Sequence, residues 1–189
     1  MAEKGLPRVT MREVAERAGV KPALVNYYFG SKAGLLAAVV RDVAGSMMTR
    51  LREAGSVEGS AEERLRAVVH ALVMHCAEEP YAPRLIMEQV LFGDEEAIES
   101  FVANYARANL DTIRGLLEAG AKSGELRSVD PLFLTPSLLG GCLFFFLASP
   151  VILRLFELKA ITPELAKKLA DQTVDNLLHG IAMRPEVQA

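Results

Sequence analysis

Asn26 has the chemistry to read a base, because its amide donates and accepts side by side, the pattern that pairs bidentately with an adenine edge; no other side chain of its stretch can do this. Lys32 is a point charge placed in the first turn of a following helix, beside free backbone N–H groups that already attract an anion such as a phosphate. Both lie within residues 10–36, TMREVAERAGVKPALVNYYFGSKAGLL. The elements that must position them are legible. Thr10 and Glu13 stand in capping-box spacing, where hydroxyl and carboxylate reciprocally satisfy free amides of a first turn. That helix should run to about Ala18. Gly19 supplies a turn where positive φ costs little, and Pro22 suits the first position of a second helix, since its missing N–H would be unpaired there anyway. Val14, Ala15, Ala18 and Val20 can meet Leu24, Val25 and Tyr28 of that second helix. Two short helices joined this way have helix-turn-helix geometry, with the second as the candidate reader of a DNA groove.

The stretch from Ala15 to Leu36, A-E-R-A-G-V, a short helix, then Y-Y-F-G-S-K and the Leu35-Leu36 pair, resembles the tetracycline-repressor family of bacterial one-component regulators. Aromatic pair, Ser-Lys step and Leu-Leu pair at fixed spacing are far more specific than a bare helix-turn-helix. The resemblance implies that Lys21, Pro22, Ala23, Leu24 and Asn26 face the major groove of a double-stranded DNA operator, with Tyr27, Lys32 and Thr10 among the DNA-binding residues that flank it, Tyr27 and Lys32 on phosphates. Tyr28 and Phe29 are expected to pack the small head. Relatives often carry a Ser cap where this chain has Lys21 and a Thr where it has Leu24, so base preference should differ. In the family a full helix precedes the motif, and Ala2-Glu3-Lys4-Gly5-Leu6 is similar to that helix's last turn. A start codon placed too late or a shortened chain is therefore expected, the alternative being that the helix is dispensable.

The 189 residues carry a net charge of -3, unpromising for nucleic acid until its distribution is seen. Up to Glu53 there are nine Lys/Arg against five Asp/Glu; beyond it there are twelve against nineteen. The basic end holds the motif, and phosphate contacts need only a local basic face. No signal peptide is visible, and a cytoplasmic location is expected. Cys76 and Cys142, far apart and without C-x-x-C spacing, argue against a disulfide framework and fit small core residues. From Pro131 to Leu153 run 23 residues without a charge, long enough to span a membrane. Pro136, Gly140-Gly141 and Pro150 interrupt it, and a buried helix at a subunit interface explains the same residues.

Further helices follow from apolar periodicity. One runs from Lys32 to about Arg52; a second opens at the Ser60–Glu63 capping box and stops at Pro80. A shorter one spans roughly Pro83 to Phe92. Asp94 caps a long helix terminated by Gly120 and Gly124, Asp130-Pro131 starts the apolar helix, and Thr162-Pro163 starts the last, through about Met183. No strand alternation is convincing. The expected fold is all-α with about eight helices: a helix-turn-helix DNA-binding head with its linking helix over residues 1–52, and a helical effector-binding and dimerisation body over residues 53–189.

The resemblance implies a homodimer, a roughly palindromic operator and a small-molecule effector held among the body helices. Leu138, Phe145, Leu165, Leu169, Thr173, Asn176, Leu177 and Ile181 are the candidate interface residues. Candidate pocket residues are Met47, His70, Met74, Met87, Tyr105, Asn109, Phe133 and Cys142. Tyr105 and Asn109 stand out, since a buried phenol and amide four apart on one helix face need partners. The segment from Gly140 through Phe144-Phe145-Phe146 to Pro150-Val151-Ile152-Leu153-Arg154 also resembles a carboxy-terminal subtype of the family. No metal site is expected: His70 and His75, five apart, aim in different directions, and His179 stands alone. No cofactor is implied, and thiol sensing would need a lowered thiolate pKa. No Gly-rich phosphate loop, G-x-S-x-G or H-E-x-x-H supports an enzyme. The competing readings are a helical module that sequesters a small molecule without reading DNA, and a membrane-tethered regulator.

Overall fold

Helix ends in this chain fall where side chains can satisfy the backbone. The computed structural model describes residues 9–181, and the expectations for Ala2–Leu6 and Met183 lie outside them. Ten α-helical segments are present among the described residues: α1 (Met11–Ala18), α2 (Pro22–Phe29), α3 (Lys32–Gly55), α4 (Ala61–Glu78), α5 (Ala82–Phe92), α6 (Glu95–Phe101), α7 (Arg107–Ser123), α8 (Pro131–Leu147), α9 (Ser149–Leu155) and α10 (Pro163–Ile181). The fold is all-α. Both expected capping boxes form, at Thr10–Glu13 and Ser60–Glu63, and Asp94 and Asp130 cap α6 and α8 through their carboxylates.

Two breaks account for the two helices beyond the expected eight. α6 and α7 are one continuous path interrupted by a five-residue π-helical turn, Val102–Ala106, in which the Arg107 N–H reaches back to the Val102 carbonyl. The uncharged run is also two helices, since α8 and α9 meet at a bend of 70°. Among the described residues no single helix is long and apolar enough to cross a membrane. Gly120 is no terminator. It lies inside α7, where an added Cβ would sit 2.6 Å from Leu126 and 2.8 Å from Ala61, so it is a point of close approach; Gly124, at φ +79, ends the helix.

α4 is the axis of the body. Its Leu65, Val68, Val69, Leu72, Val73 and Cys76 are all buried, as their spacing implied, and form the centre of a core shared with α3, α5, α7, α8 and α10. Each large aliphatic side chain so buried contributes about 1.5–3 kcal/mol. α10 lays a seam of Ala166, Ala170, Val174 and Leu178 into that core. Beside the seam, Arg66 of α4 pairs with Asp175 at 2.7 Å and His70 with Asp171 at 2.8 Å. Leu138, expected at a subunit interface, is instead inside this core with 1% of its surface exposed, because α8 turns it inward. Cys76 and Cys142 are both core residues, and burial pushes each thiol up to about 12, which leaves them protonated and unreactive.

Candidate nucleic-acid interface and effector cavity

Among the described residues the head has a small buried cluster of its own. Ala15 of α1, Val25 of α2 and Leu35 of α3 form its buried cluster, with Met11, Val14 and Val39 packed around it. α2 has only Val25 buried, so nearly its whole circumference is available. Lys21, Pro22, Ala23, Leu24 and Asn26 are all exposed, and Tyr27 is 82% exposed. Gly19, at φ +68, turns the chain between α1 and α2, and Lys21 takes the N-cap position of α2 without a side-chain cap bond. Neither Lys21 nor Lys32 has an ion-pair partner among the described residues. The Ser31 hydroxyl accepts from the Gly34 N–H at 3.0 Å, which fixes the first turn of α3 around Lys32.

Tyr28 and Phe29 depart from expectation. Tyr28 is 70% exposed and meets Tyr27 edge-on with ring centroids 5.4 Å apart, while Phe29 is 38% exposed. With eight residues and one inward position, taken by Val25, α2 has no room to bury an aromatic as well. Gly34 was missed by the sequence reading. A Cβ there would fall against the carbonyl oxygen of Phe29, so the α2–α3 junction closes only around glycine.

The body contains an apolar cavity of about 590 Å³ between α3, α5, the α6–α7 path and α8. Met47, Met87, Tyr105 and Asn109 line it, as expected from sequence. Four other candidates do not. His70 is engaged by Asp171 at the α4–α10 seam, Cys142 is wholly inside the core, and Met74 packs against that core away from the cavity. Phe133 projects outward beside a separate crevice near Val129. The largest omission was the stripe that α8 supplies, from Leu132 through Thr135, Pro136, Leu139, Gly140 and Leu143. Its three- and four-residue spacing is helical, but in a segment apolar on every side the period carries no direction. Among the described residues no three His, Cys, Asp or Glu side chains gather as metal ligands.

α8 and α9 also leave apolar side chains in solvent, among them Leu132, Phe133, Phe144, Val151, Leu155 and Phe156. Of the candidate interface residues, Asn176 is exposed, and Phe145, Leu165, Leu169, Thr173 and Leu177 are half-buried, Leu169 and Leu177 against their own subunit's core. The side chain of Ile181 lies outside the described residues.

An exposed second helix in a helix-turn-helix head, joined by the long α3 to a body that holds an apolar cavity, is the architecture of a ligand-responsive transcriptional regulator of the helix-turn-helix class. Residues 1–39 match the family model for bacterial regulatory proteins of the tetR family, and residues 58–186 match the tetracyclin repressor-like C-terminal domain. The HTH-type transcriptional regulator BetI of Rhizobium meliloti (strain 1021) is 31% identical over 150 residues, covering 73% of this chain and 72% of that protein. Other BetI regulators match over 69 to 72 residues, about a third of this chain and of their own length. The fold is shared with a bacterial regulatory protein in the tetR family from Rhodococcus RHA1 (TM-score 0.81, 20% identity, 97% of this chain and 92% of that one). It is also that of the transcriptional regulator FadR from Bacillus subtilis, crystallised with stearoyl-CoA (TM-score 0.74, 18% identity, 95% and 92% covered). The chain belongs to the tetR family of bacterial regulatory proteins, and it is a ligand-responsive transcriptional repressor.

Proposed function

We propose that this repressor acts in the cytoplasm as a homodimer that lays its two α2 helices into successive major grooves of a roughly palindromic operator, and lets go when a small molecule fills the cavity. In this reading Lys21, Pro22, Ala23, Leu24 and Asn26 meet base edges, with Asn26 the one able to pair bidentately, while Tyr27, Lys32 and Thr10 engage the backbone. The exposed apolar face of α8 and α9 is the surface for the second copy, since several large apolar side chains gathered in solvent mark association.

The observation that carries the reading is the double duty of α3. Leu35 and Val39 pack the head, and Met47 and Met48 of the same helix line the cavity. Lys32 and Met47 are fifteen residues apart, roughly 22 Å along the axis. A rigid element shared by both sites lets occupancy of one bias the other, provided the effector binds the non-operator geometry better than the operator geometry. The boundary at residue 52 is then a division of labour, with α3 belonging to both halves. A FadR of the same fold, crystallised with stearoyl-CoA, supports a body that accepts a long hydrocarbon chain.

Titration against DNA from immediately upstream of the chain's own gene, at two salt concentrations and with unrelated DNA as competitor, tests this. Tight, salt-sensitive binding that survives the competitor is expected. Binding no better than to the competitor would favour a module that only sequesters its ligand.

A further inference from the structure

The cavity is apolar except at one wall, and that wall is unfinished. None of its lining residues is charged. Two of them are polar, more than nine-tenths buried and without a hydrogen-bond partner: Asn109 of α7 and Thr135 of α8, each 8% exposed. The Thr135 hydroxyl has no partner and no accessible surface, while the Asn109 amide makes no hydrogen bond among the described residues and keeps a little accessible surface. Beside Thr135, Pro136 has no N–H to give the Leu132 carbonyl, so a third polar group at this wall lacks its helical donor. The π-helical turn adds to the arrangement. Tyr105 and Ala106 of that turn line the cavity, followed one helical turn on by Asn109 and Leu110, and such turns in α-helices recur at functional sites.

Buried amides and hydroxyls without partners destabilise a protein, and in native structures they call for an explanation. A carboxylate or ammonium brought to this wall would meet no counter-ion. We infer, on the basis of the effector reading above, that the cavity takes a neutral, mostly hydrocarbon molecule carrying an uncharged oxygen function, a hydroxyl or a ketone, which completes the hydrogen bonds of Asn109 and Thr135. Asn109 both donates and accepts, and Thr135 does likewise, so either oxygen function is served.

Calorimetric titration of the full chain with 1-decanol, 2-decanone, decanoate and decylamine at pH 7.5 tests the inference. The alcohol and ketone should bind at least tenfold more tightly than the two ions. Asn109→Leu and Thr135→Val should each weaken the alcohol and ketone about five- to tenfold, and Thr135→Val should raise the melting temperature of the ligand-free protein, because it removes an orphaned hydroxyl. Gly140→Leu separates this inference from the reading beneath it: Gly140 lines the cavity and a Cβ there meets nothing within 4 Å, so a leucine has room to take up cavity space. If Gly140→Leu blocks every probe but decanoate or decylamine binds as well as decanol, the neutral-ligand inference is overturned and the cavity stands. If no probe binds, or Gly140→Leu changes nothing, the cavity reading falls as well.

Discussion

Asparagine is used twice in this chain to opposite ends. Asn26 is exposed on α2 with its amide open to a base edge, and Asn109 is buried with its amide open only to a cavity. Sequence marked both, the first because it is the one bidentate group on its helix, the second because it stands four residues from Tyr105. It could not say which aromatics of the head would be buried, since PALVNYYF is apolar on most faces and the choice of Val25 as its single inward residue depends on how α1 and α3 pack. His75 shows a further limit. Its helix-face position says nothing of partners, yet the ring is buried with both nitrogens unbonded. Burial holds its pKa below the ordinary value near 6.5, the Arg50 charge lowers it further, and Glu79 and Glu78 oppose them. Because the folded pKa is depressed, the unfolded chain binds the extra proton: stability is full above about pH 6.5 and falls as pH drops toward the folded value. Thermal melts from pH 7.5 to 5.5 should show this loss, and His75→Leu should flatten it while raising stability by about 1 kcal/mol or more through removal of orphaned nitrogens.

Helix boundaries were the most legible feature at the scale of elements, because capping boxes, Asp caps and proline starts write their own chemistry into sequence. The π-helical turn and the α8–α9 bend were not. A one-residue slip in VANYA leaves the apolar period almost unchanged, and the run from Pro131 has no polar face from which a change of direction could be read. Gly34 was invisible for a related reason, since its requirement comes from the Phe29 carbonyl across a junction. Gly34→Ala must push that carbonyl aside and re-aim α2 relative to α3. The expected result is a loss of operator affinity of tenfold or more with the melting temperature of the body little changed, measured by operator titration alongside calorimetry. Unchanged affinity would mean that α2 tolerates a new angle.

For the whole molecule, the basic head and acidic body fit the proposed division of labour, and the proposed second subunit has its sign in the exposed apolar side chains of α8 and α9. Phe133→Glu combined with Leu155→Glu places charges on two side chains that are 70% and 71% exposed and outside the core. The double variant should run as a monomer by light scattering and lose operator affinity while keeping its helical content; a persistent dimer would move the interface elsewhere. The central claim is that α2 reads sequence, and it is tested most directly by the ratio of affinities for operator and unrelated DNA, measured at fixed salt for the native chain and for Asn26→Ala. Removal of one bidentate base contact costs about 1–3 kcal/mol of discrimination. In the proposed homodimer Asn26→Ala removes one such contact from each half-site, so the ratio should fall by about thirtyfold or more while affinity for unrelated DNA stays nearly constant. A ratio unchanged by Asn26→Ala, or a fall shared equally by both DNAs, would contradict α2 as the reader.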